Sequence, residues 1–509
     1  MKHTSSQYPG LLIAGTHSGV GKTTITLGLM SALKEKGYKV QGFKAGPDYI
    51  DPSHHMAITG SPSRNLDTWL MSRDVCLELY EHALMDSNLV SVPPPPLTPP
   101  TRGGGKTFPP PVPLTEVEKG GEGRSGGGAE LLPNLAVIEG VMGIYDGCLD
   151  GSERGSTAHL AKILNVPVIL VMDAKGMSRS AGAVVLGYKN FDKDVKIQGI
   201  ILNRVKSERH YASLKESIER NCGLPVLGYM PFHDDITLPE RHLGLVPSIE
   251  QEFAKSTYQK MGSLLSNTVD VDRLINIATS LKGLPSYQKT VFSGINERFA
   301  FRIAVAVDEA FNFYYQDNLD LLELYGIELT YFSPLYDKYL PADIDGLYIG
   351  GGFPELYANL LASNTTMKES IRKAHKNGVV IYGECGGMMY LLEHMVDFKN
   401  MTHEMCGILK GTTRMENKRQ GLGYITVQAL HDNILCKKGA TFKGHEFHWS
   451  SLHVPDGTPY AYAISKCDDK KSKVDGIFAG HVLGSYTHVH FATDPGLVKH
   501  LLHAIAKRL

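Results

Sequence analysis

Short apolar, β-branched runs alternate with amphipathic stretches along most of this chain, and the alternation sets what to expect of its architecture. The run "LLIAG" (11–15) reads as a buried strand, and "KTTITLGLMSALKEKG" behind it as a helix. Ile25, Leu29, Met30, Ala32 and Leu33 fall on one face of that helix, and Gly37 stops it. "KVQGFKAG", "LAVIEG", "VPVILVMD", "KIQGIILNRV" and "LPVLGYM" share the strand character. A second series follows with "RIAVAVD" (302–308), "IELTYFS" (327–333), "DGLYIGGG" (345–352) and "GVVIYGE" (378–384). Strands and helices in this order predict α/β units, each a mostly parallel sheet covered by helices.

From about 265 to 300 the pattern weakens, so a linker is expected at 266–300, between units at 1–265 and 301–509. Residues 91–130 stand apart, being mostly Pro, Gly and polar residues. Such a stretch buries too little apolar surface to offset its ordering entropy, and a disordered insertion is expected there.

Composition narrows the partners. At 509 residues the chain is too long for one core. Its 52 basic and 53 acidic residues are spread throughout and leave a net charge of −1. That balance gives no electrostatic footprint for nucleic acid or an anionic membrane. No apolar run reaches the roughly 18 residues a bilayer span needs, and the first residues lack a signal peptide's apolar stretch, so a cytoplasmic protein is expected. Seven cysteines without a C-x-x-C pair argue against a disulfide framework or a zinc site.

Two glycine-rich turns carry the candidate chemistry. "GTHSGVGKTT" (15–24) joins the first strand to the first helix. Gly15, Gly19 and Gly21 let backbone N–H groups line a concavity for phosphate oxygens, Lys22 adds a charge for the outer phosphates, and the Thr23 hydroxyl can reach Mg²⁺. Thr16 stands where the first glycine of the usual phosphate loop would be. Carboxylates at other strand ends are candidates for the metal or the substrate: Asp48 and Asp51 in "KAGPDYIDP", Glu139 and Asp146 in "VIEGVMGIYDG". Glu139 ends an apolar strand, where a lone buried carboxylate is costly; a metal is one partner for it, and an acidic cap on the next turn is the other reading. Lys44 reads equally as a phosphate contact or a surface ion pair.

The second turn, "GECGG", sets Cys385 between a strand and a helical pattern. This is the thiol counterpart of a nucleophile elbow, where a helix N-terminus favours thiolate and the Gly386 N–H can serve an oxyanion. "YIGGGFPELY" offers a second such N–H from Gly351 or Gly352. "GSYTHVHF" (484–491) reads as a strand with His488 and His490 on one face, either able to act as the base. His445, Glu446 and His448 in "KGHEFHWS" are nearby alternatives, and His-x-His is also a metal pattern.

Taken in order, "GTHSGVGKTT", "GPDYIDPSHH", "RNLD", "EGVMGIYDG", "LNRV", "LPERHLGL", "DEAFNFYYQDNLDLLE", "GGGFPELY", "ECGGMMYL", "GHEFHWS" and "YTHVHF" resemble the cobyrinate a,c-diamide synthases over nearly the whole chain outside 91–130. In that family a dethiobiotin-synthetase-like P-loop domain is fused to a class I, flavodoxin-like glutamine amidotransferase domain. The resemblance implies ATP and Mg²⁺ as cofactors, glutamine and a tetrapyrrole carboxylate as substrates, and room for a homodimer. It implies that Gly15, Thr16, Gly19, Gly21, Lys22, Thr23 and Thr24 hold the nucleotide, with Asn203 at the base. Thr23, Asp48 and Glu139 would meet Mg²⁺, and Asp48, Asp51 and Asp146 the substrate end. Cys385 would attack glutamine and His488 would be its base. Other class I amidotransferases carry Glu two residues after this histidine; here His490 stands instead. A sister family that amidates Ni-sirohydrochlorin on the way to coenzyme F430 has overlapping motifs. A nucleotide-dependent interaction switch and an inactive amidotransferase-like regulator are the readings from other classes.

Overall fold

The computed structural model describes residues 8–85, 134–148, 150–233, 236, 238–241, 244–250, 254–280, 283–466 and 471–508. The expected insertion at 91–130 lies outside them.

The first unit is built on a seven-stranded parallel sheet. Its strands are β1 (Gly10–Gly15), β2 (Lys39–Ala45), β3 (Arg64–Leu66), β4 (Asn134–Glu139), β5 (Val168–Asp173), β6 (Ile197–Val205) and β7 (Val226–Pro231). They run in the order β3-β2-β4-β1-β5-β6-β7. All six residues of β1 are buried, as suits a central strand covered on both faces. Helices α1 (Lys22–Glu35) and α2 (Ile50–Thr59) follow β1 and β2. The turns after β1, β2 and β4 therefore gather at one sheet edge, beyond the strands' carboxyl ends, where open α/β sheets bind ligands.

The expected linker at 266–300 is not all linker. It contains a helix, Val271–Thr279, started by the Asp270 side chain accepting from the Arg273 N–H. Val271, Leu274 and Ala278 pack in the same core as Leu11 and Ile13 of β1. The chain beyond it is tied back by Glu78, whose carboxylate accepts the N–H groups of Thr290, Val291 and Phe292 at 2.6–2.9 Å.

The second unit has a nine-stranded sheet of β8 (Arg302–Ala306), β9 (Glu328–Phe332), β10 (Gly346–Ile349), β11 (Val380–Glu384), β12 (Gly421–Ala429), β13 (Thr441–His448), β14 (Tyr460–Lys466), β15 (Ser472–Ala479) and β16 (Val482–Ser485). The order is β9-β8-β10-β11-β16-β15-β14-β12-β13. β9, β8, β10, β11 and β16 are parallel, as the pattern predicts. β15, β14, β12 and β13 extend the sheet antiparallel.

One expected strand is shorter than its sequence suggests. The "GSYTHVHF" strand stops at Ser485, because the Asp475 carboxylate takes the Tyr486 N–H (3.1 Å), the Thr487 N–H (2.9 Å) and the Thr487 hydroxyl (2.7 Å). These bonds peel the chain off the ladder. His488 pairs again only through an isolated bridge to His445. His488 and His490 therefore do not share one strand face.

The "RNLD" segment docks the two units. Arg64, buried in β3, gives Nη1 to Asp317 at 2.6 Å and also to Asp320. Asp67 accepts from the Tyr424 hydroxyl (2.7 Å), Trp69 stacks on Tyr424, and Lys443 donates to the Trp69 carbonyl (2.6 Å). No helix among the described residues is long and apolar enough to cross a membrane.

Candidate active site

The turn after β1 has the shape of a phosphate loop. Gly19 and Gly21 lie at φ 79° and 95°, a region L side chains rarely adopt. A Cβ on Gly21 would also sit 2.1 Å from Asn203 Nδ2. Asn203 donates to the Val20 carbonyl (2.7 Å) and so braces the loop from β6. Thr16 is buried, its carbonyl accepting from the Tyr188 hydroxyl at 2.5 Å, and Thr24 is half-buried in the first turn of α1. Lys22 reaches back across the loop to the carbonyls of Met142 (2.5 Å) and His17 (3.3 Å). Burial and the nearby Lys44 ammonium lower its pKa to about 8, against the pull of Glu139, Asp51 and Asp146.

Beside it lies a buried charge cluster. Glu139 is wholly buried, and accepts from the Thr23 hydroxyl (2.6 Å), from Lys44 (3.0 Å) and from His55 (2.9 Å). Burial pushes its carboxyl up, but the Lys44 charge and the bonds from His55 and Thr23 outweigh it and hold it well below the usual range. Lys44 also donates to Asp51 at 2.5 Å. Lys44 thus forms an ion pair, in the core and not on the surface. Asp48 accepts the Ile50 and Asp51 N–H groups at the start of α2, and its other oxygen is 3.9 Å from Lys44. Asp146 is exposed and closes its own turn by accepting the Gly143 N–H (3.0 Å).

The Thr23 hydroxyl and the Glu139 and Asp48 carboxylates are oxygen donors of the kind that fit Mg²⁺, which takes one or two protein carboxylates and fills its remaining positions with water and phosphate oxygens. Among the described residues no three His, Cys, Asp or Glu side chains form a metal-binding group by themselves.

The thiol sits at a true elbow. Cys385, at φ 47°, joins β11 to the helix Gly386–Leu391, and its N–H donates to the Ser485 carbonyl (2.7 Å). A non-glycine residue at positive φ is strained, and such strain gathers at functional sites. Its glycine neighbours are needed for close approach. A Cβ on Gly387 would lie 2.0 Å from the Ile349 carbonyl oxygen, and one on Gly386 3.2 Å from the Gly352 nitrogen. The Gly351 carbonyl accepts the Asn312 and Phe313 N–H groups (3.1 Å each). Because the peptide is trans, the Gly352 N–H points away from the Gly351 carbonyl and its partners. A Cβ on Gly351 would meet the His488 ring at 2.7 Å.

His488 is buried against the thiol. Burial lowers its pKa, but the hydrogen bond and charge of Cys385, with help from Glu384, outweigh burial and raise it to about 10. The histidine is thus placed beside the thiol as its base, the arrangement a cysteine nucleophile needs. Among the described residues five cysteines, Cys385 among them, are free, and Cys148 is disulfide-bonded.

His490 is elsewhere. Its Nε2 lies 3.4 Å from Asp317 Oδ2 and its ring against Tyr315, so it belongs to the Arg64–Asp317 ion pair at the interface of the units. The two imidazoles of the His-x-His pair thus serve different partners. The His445 ring lies 4.9 Å from that of His488, tilted by 32°, while Glu446 and His448 pair with each other at 3.4 Å.

Three residues that sequence reasoning passed over complete the site. His55 holds Glu139 in the charge cluster. Glu384 accepts from Tyr382, Tyr348 and the Val489 N–H, close to His488. Tyr49, from the loop that carries Asp48 and Asp51, lays its ring 5.1 Å from Phe313, 4.7 Å from Tyr315 and 5.2 Å from His488. The two candidate sites are therefore joined through one short loop. "GPDYID" gave the signal for the loop but not for where its tyrosine goes.

Residues 11–246 match the CobQ/CobB/MinD/ParA nucleotide binding domain, and residues 302–496 the CobB/CobQ-like glutamine amidotransferase domain. A cobyrinate a,c-diamide synthase of Dehalococcoides mccartyi (strain CBDB1) is 39% identical over 499 residues, 97% of this chain and 98% of its own. One from Methanosarcina barkeri (strain Fusaro / DSM 804) is 40% identical, covering 96% of this chain and 94% of its own. One from Priestia megaterium is 38% identical, covering 96% and 95%.

Proposed function

We propose, from the premise that this chain belongs to the cobyrinate a,c-diamide synthase family, that it amidates the a and c carboxylates of cobyrinate in cobalamin biosynthesis, using ATP and taking nitrogen from glutamine. The Cys385 thiolate attacks the glutamine amide, and the His488 imidazolium gives its proton to the departing ammonia. Gly386 and one of Gly351 and Gly352 stabilise the oxyanion through backbone N–H groups. Water then releases glutamate from the thioester and returns the thiol.

In the other unit a substrate carboxylate attacks the outer phosphate of ATP. The products are an acyl phosphate and ADP. Ammonia displaces phosphate from the acyl phosphate and leaves the amide. A carboxylate is a poor electrophile because its charge is delocalised, and phosphorylation supplies the leaving group. Gly15, Thr16, Gly19, Gly21 and Thr24 cradle the nucleotide, Asn203 lies toward its base, and Lys22 neutralises charge on the transferring group. Thr23, Glu139 and Asp48 would hold Mg²⁺, which supplies further charge neutralisation at the phosphates. Asp48, Asp51 and Asp146 edge the substrate side.

The observation that carries this reading is Tyr49. Its ring rests on His488, while its own loop supplies Asp48 and Asp51 beside Lys44. A shared loop is what a chain needs if ammonia made at one site is used at the other.

The test is to incubate the protein with ATP, Mg²⁺, glutamine and each tetrapyrrole, and follow mass by spectrometry. Cobyrinate should gain two successive amide-for-acid exchanges with equal glutamate release. Amidation of Ni-sirohydrochlorin alone would reassign the substrate, and no ATP-dependent mass change with either would remove the reading.

A further inference from the structure

We propose that Glu384, the residue immediately before the nucleophile, is the carboxylate that positions the His488 imidazole for glutamine hydrolysis. This rests on the roles given above to Cys385 and His488.

A nucleophile–base pair usually has a third group that orients the base. The position two residues beyond His488 is filled by His490, which is turned to Asp317. Glu384 is placed for the task. Its Oε2 lies 3.9 Å from His488 Nδ1, both side chains are 1–2% exposed, and that nitrogen has no hydrogen-bond partner. A small rotation of the imidazole closes the gap.

The backbone explains how two adjacent residues reach one ring. Along a regular strand, the side chains of 384 and 385 would point to opposite faces. The positive φ at Cys385 breaks that alternation, so both side chains converge on His488.

Glu384 is also held rigidly. Its Oε1 accepts from the Tyr382 hydroxyl (2.6 Å) and the Val489 N–H (3.1 Å), and its Oε2 from the Tyr348 hydroxyl (3.1 Å). All three are donors, and together they fix the position of the carboxylate. Val489 follows His488 directly, and one carboxylate thereby sets both the backbone and the ring of the base.

Other groups face His488 as well. They are the Cys385 thiol, the His445 ring at 4.9 Å from the antiparallel neighbour, and Tyr49 at 5.2 Å from the first unit. Burial keeps His445 neutral, and burial likewise keeps Tyr49 protonated. The His490–Asp317–Arg64 ion pair lies beyond them. Glu384 is thus the carboxylate among the groups that face His488.

Glutamate release is measured across pH for the full chain, Glu384→Gln and Tyr348→Phe, with ammonia-driven amidation as the control for an intact synthetase unit. Glu384→Gln keeps the shape but loses the charge. Its kcat on glutamine should fall roughly 10–100-fold, short of the loss of about 10⁴ when the hydrogen-bonded acid of a serine-protease triad is neutralised, because here the contact is longer. Its alkaline limb should move down by about one pH unit, since losing the anion lowers the imidazole's pKa. Tyr348→Phe frees Oε2 from its phenol donor and should move the same limb up.

Retained kcat or an unmoved limb in Glu384→Gln would reduce Glu384 to a backbone anchor. If that variant does not fold, Tyr348→Phe decides: an upward shift supports the proposal, and an unmoved or lowered limb overturns it. Failure of the unaltered chain to release glutamate would instead defeat the function assigned above.

Discussion

The two units solve the same geometric problem with glycine used in different ways. Each ends a buried parallel strand in a tight turn that opens a helix. In the phosphate loop the glycines take the strain, with Gly19 and Gly21 at positive φ, and the loop surface stays open to solvent. At the elbow the strain falls on Cys385 itself, while Gly386 and Gly387 let two backbones approach. The first turn exposes N–H groups to a large, charged ligand. The second forces one buried side chain out of register so that it can react. Electrostatics differ in the same sense: Lys22 and Lys44 lie among several carboxylates around the loop, whereas Cys385 and His488 face each other in a nearly dry site.

The sharpest way to break this comparison is to remove one reactive group from each unit. Cys385→Ser should abolish glutamine-dependent amidation, a loss of about 10⁴-fold or more for a removed nucleophile, while free ammonia still supports synthesis. His488→Ala should lose about 10²–10⁴-fold of glutamine turnover, with the same ammonia rescue. Lys22→Ala should lose about 10²–10³-fold with either nitrogen donor, because it acts on the transferring phosphoryl group. Product formation with glutamine and with ammonium chloride is measured for all three. Equal losses with both donors in Cys385→Ser would erase the division between the units.

The glycines can be tested by stability alone. Gly387→Ala brings its Cβ to 2.0 Å from the Ile349 carbonyl oxygen, a backbone atom that cannot give way. It should cost about 3 kcal/mol or more, at or above the upper end for overpacked sites. Gly19→Ala meets nothing within 4 Å and suffers only its φ of 79°, about 1–2 kcal/mol for an alanine in the left-handed region. Thermal unfolding of both variants checks the ranking. Equal costs would mean that φ, not close approach, dominates at both turns.

How much of this could be read beforehand follows the same division. The parallel strands and both turns were legible because a strand buried on two faces is a continuous apolar run and a turn needs its glycines. The antiparallel strands were not, since β12 faces solvent on alternate residues and carries Gly421, Gly423 and polar side chains. Cys385 announced itself by its neighbours. The surroundings of His488 did not, because Asp475 had first to draw the chain off the sheet at Tyr486 and Thr487. Glu384 stood in the most conspicuous motif of the chain, yet its sharing of His488 with the thiol depends on the positive φ that turns Cys385. The helix Val271–Thr279 was missed because only three of its nine residues are buried.

His490 sharpens the comparison at the seam. Sequence spacing offers it as a second candidate for the base, but it faces Asp317 across the units' interface. His490→Ala should therefore change glutamine hydrolysis by no more than about tenfold, well short of the general-base loss expected at His488. Asp317 keeps Arg64 as its cation, so the fold should survive. Glutamate release and amide formation are counted together in this variant. A defect as large as that of His488→Ala would return His490 to the thiol site.

The smallest effect concerns protons at the phosphate loop. In the nucleotide-free loop, Lys22 has its pKa lowered to about 8 by burial and by Lys44. Its folded pKa thus lies below that of the unfolded chain, which binds more protons between about pH 8 and 10.5. There the lysine's contribution to stability becomes more favourable as pH rises, and below about pH 8 its charged form is a full cost. Phosphate oxygens reverse this, because an anion beside Lys22 favours the ammonium. ATP binding should take up nearly no proton at about pH 6.5, where the lysine is already charged, and a growing fraction of one proton toward about pH 9. Calorimetry in two buffers of different ionisation enthalpy reads the uptake directly. Lys22→Arg, which stays charged throughout, should bind with no such pH-dependent uptake, and its persistence there would assign the proton to another group of the cluster.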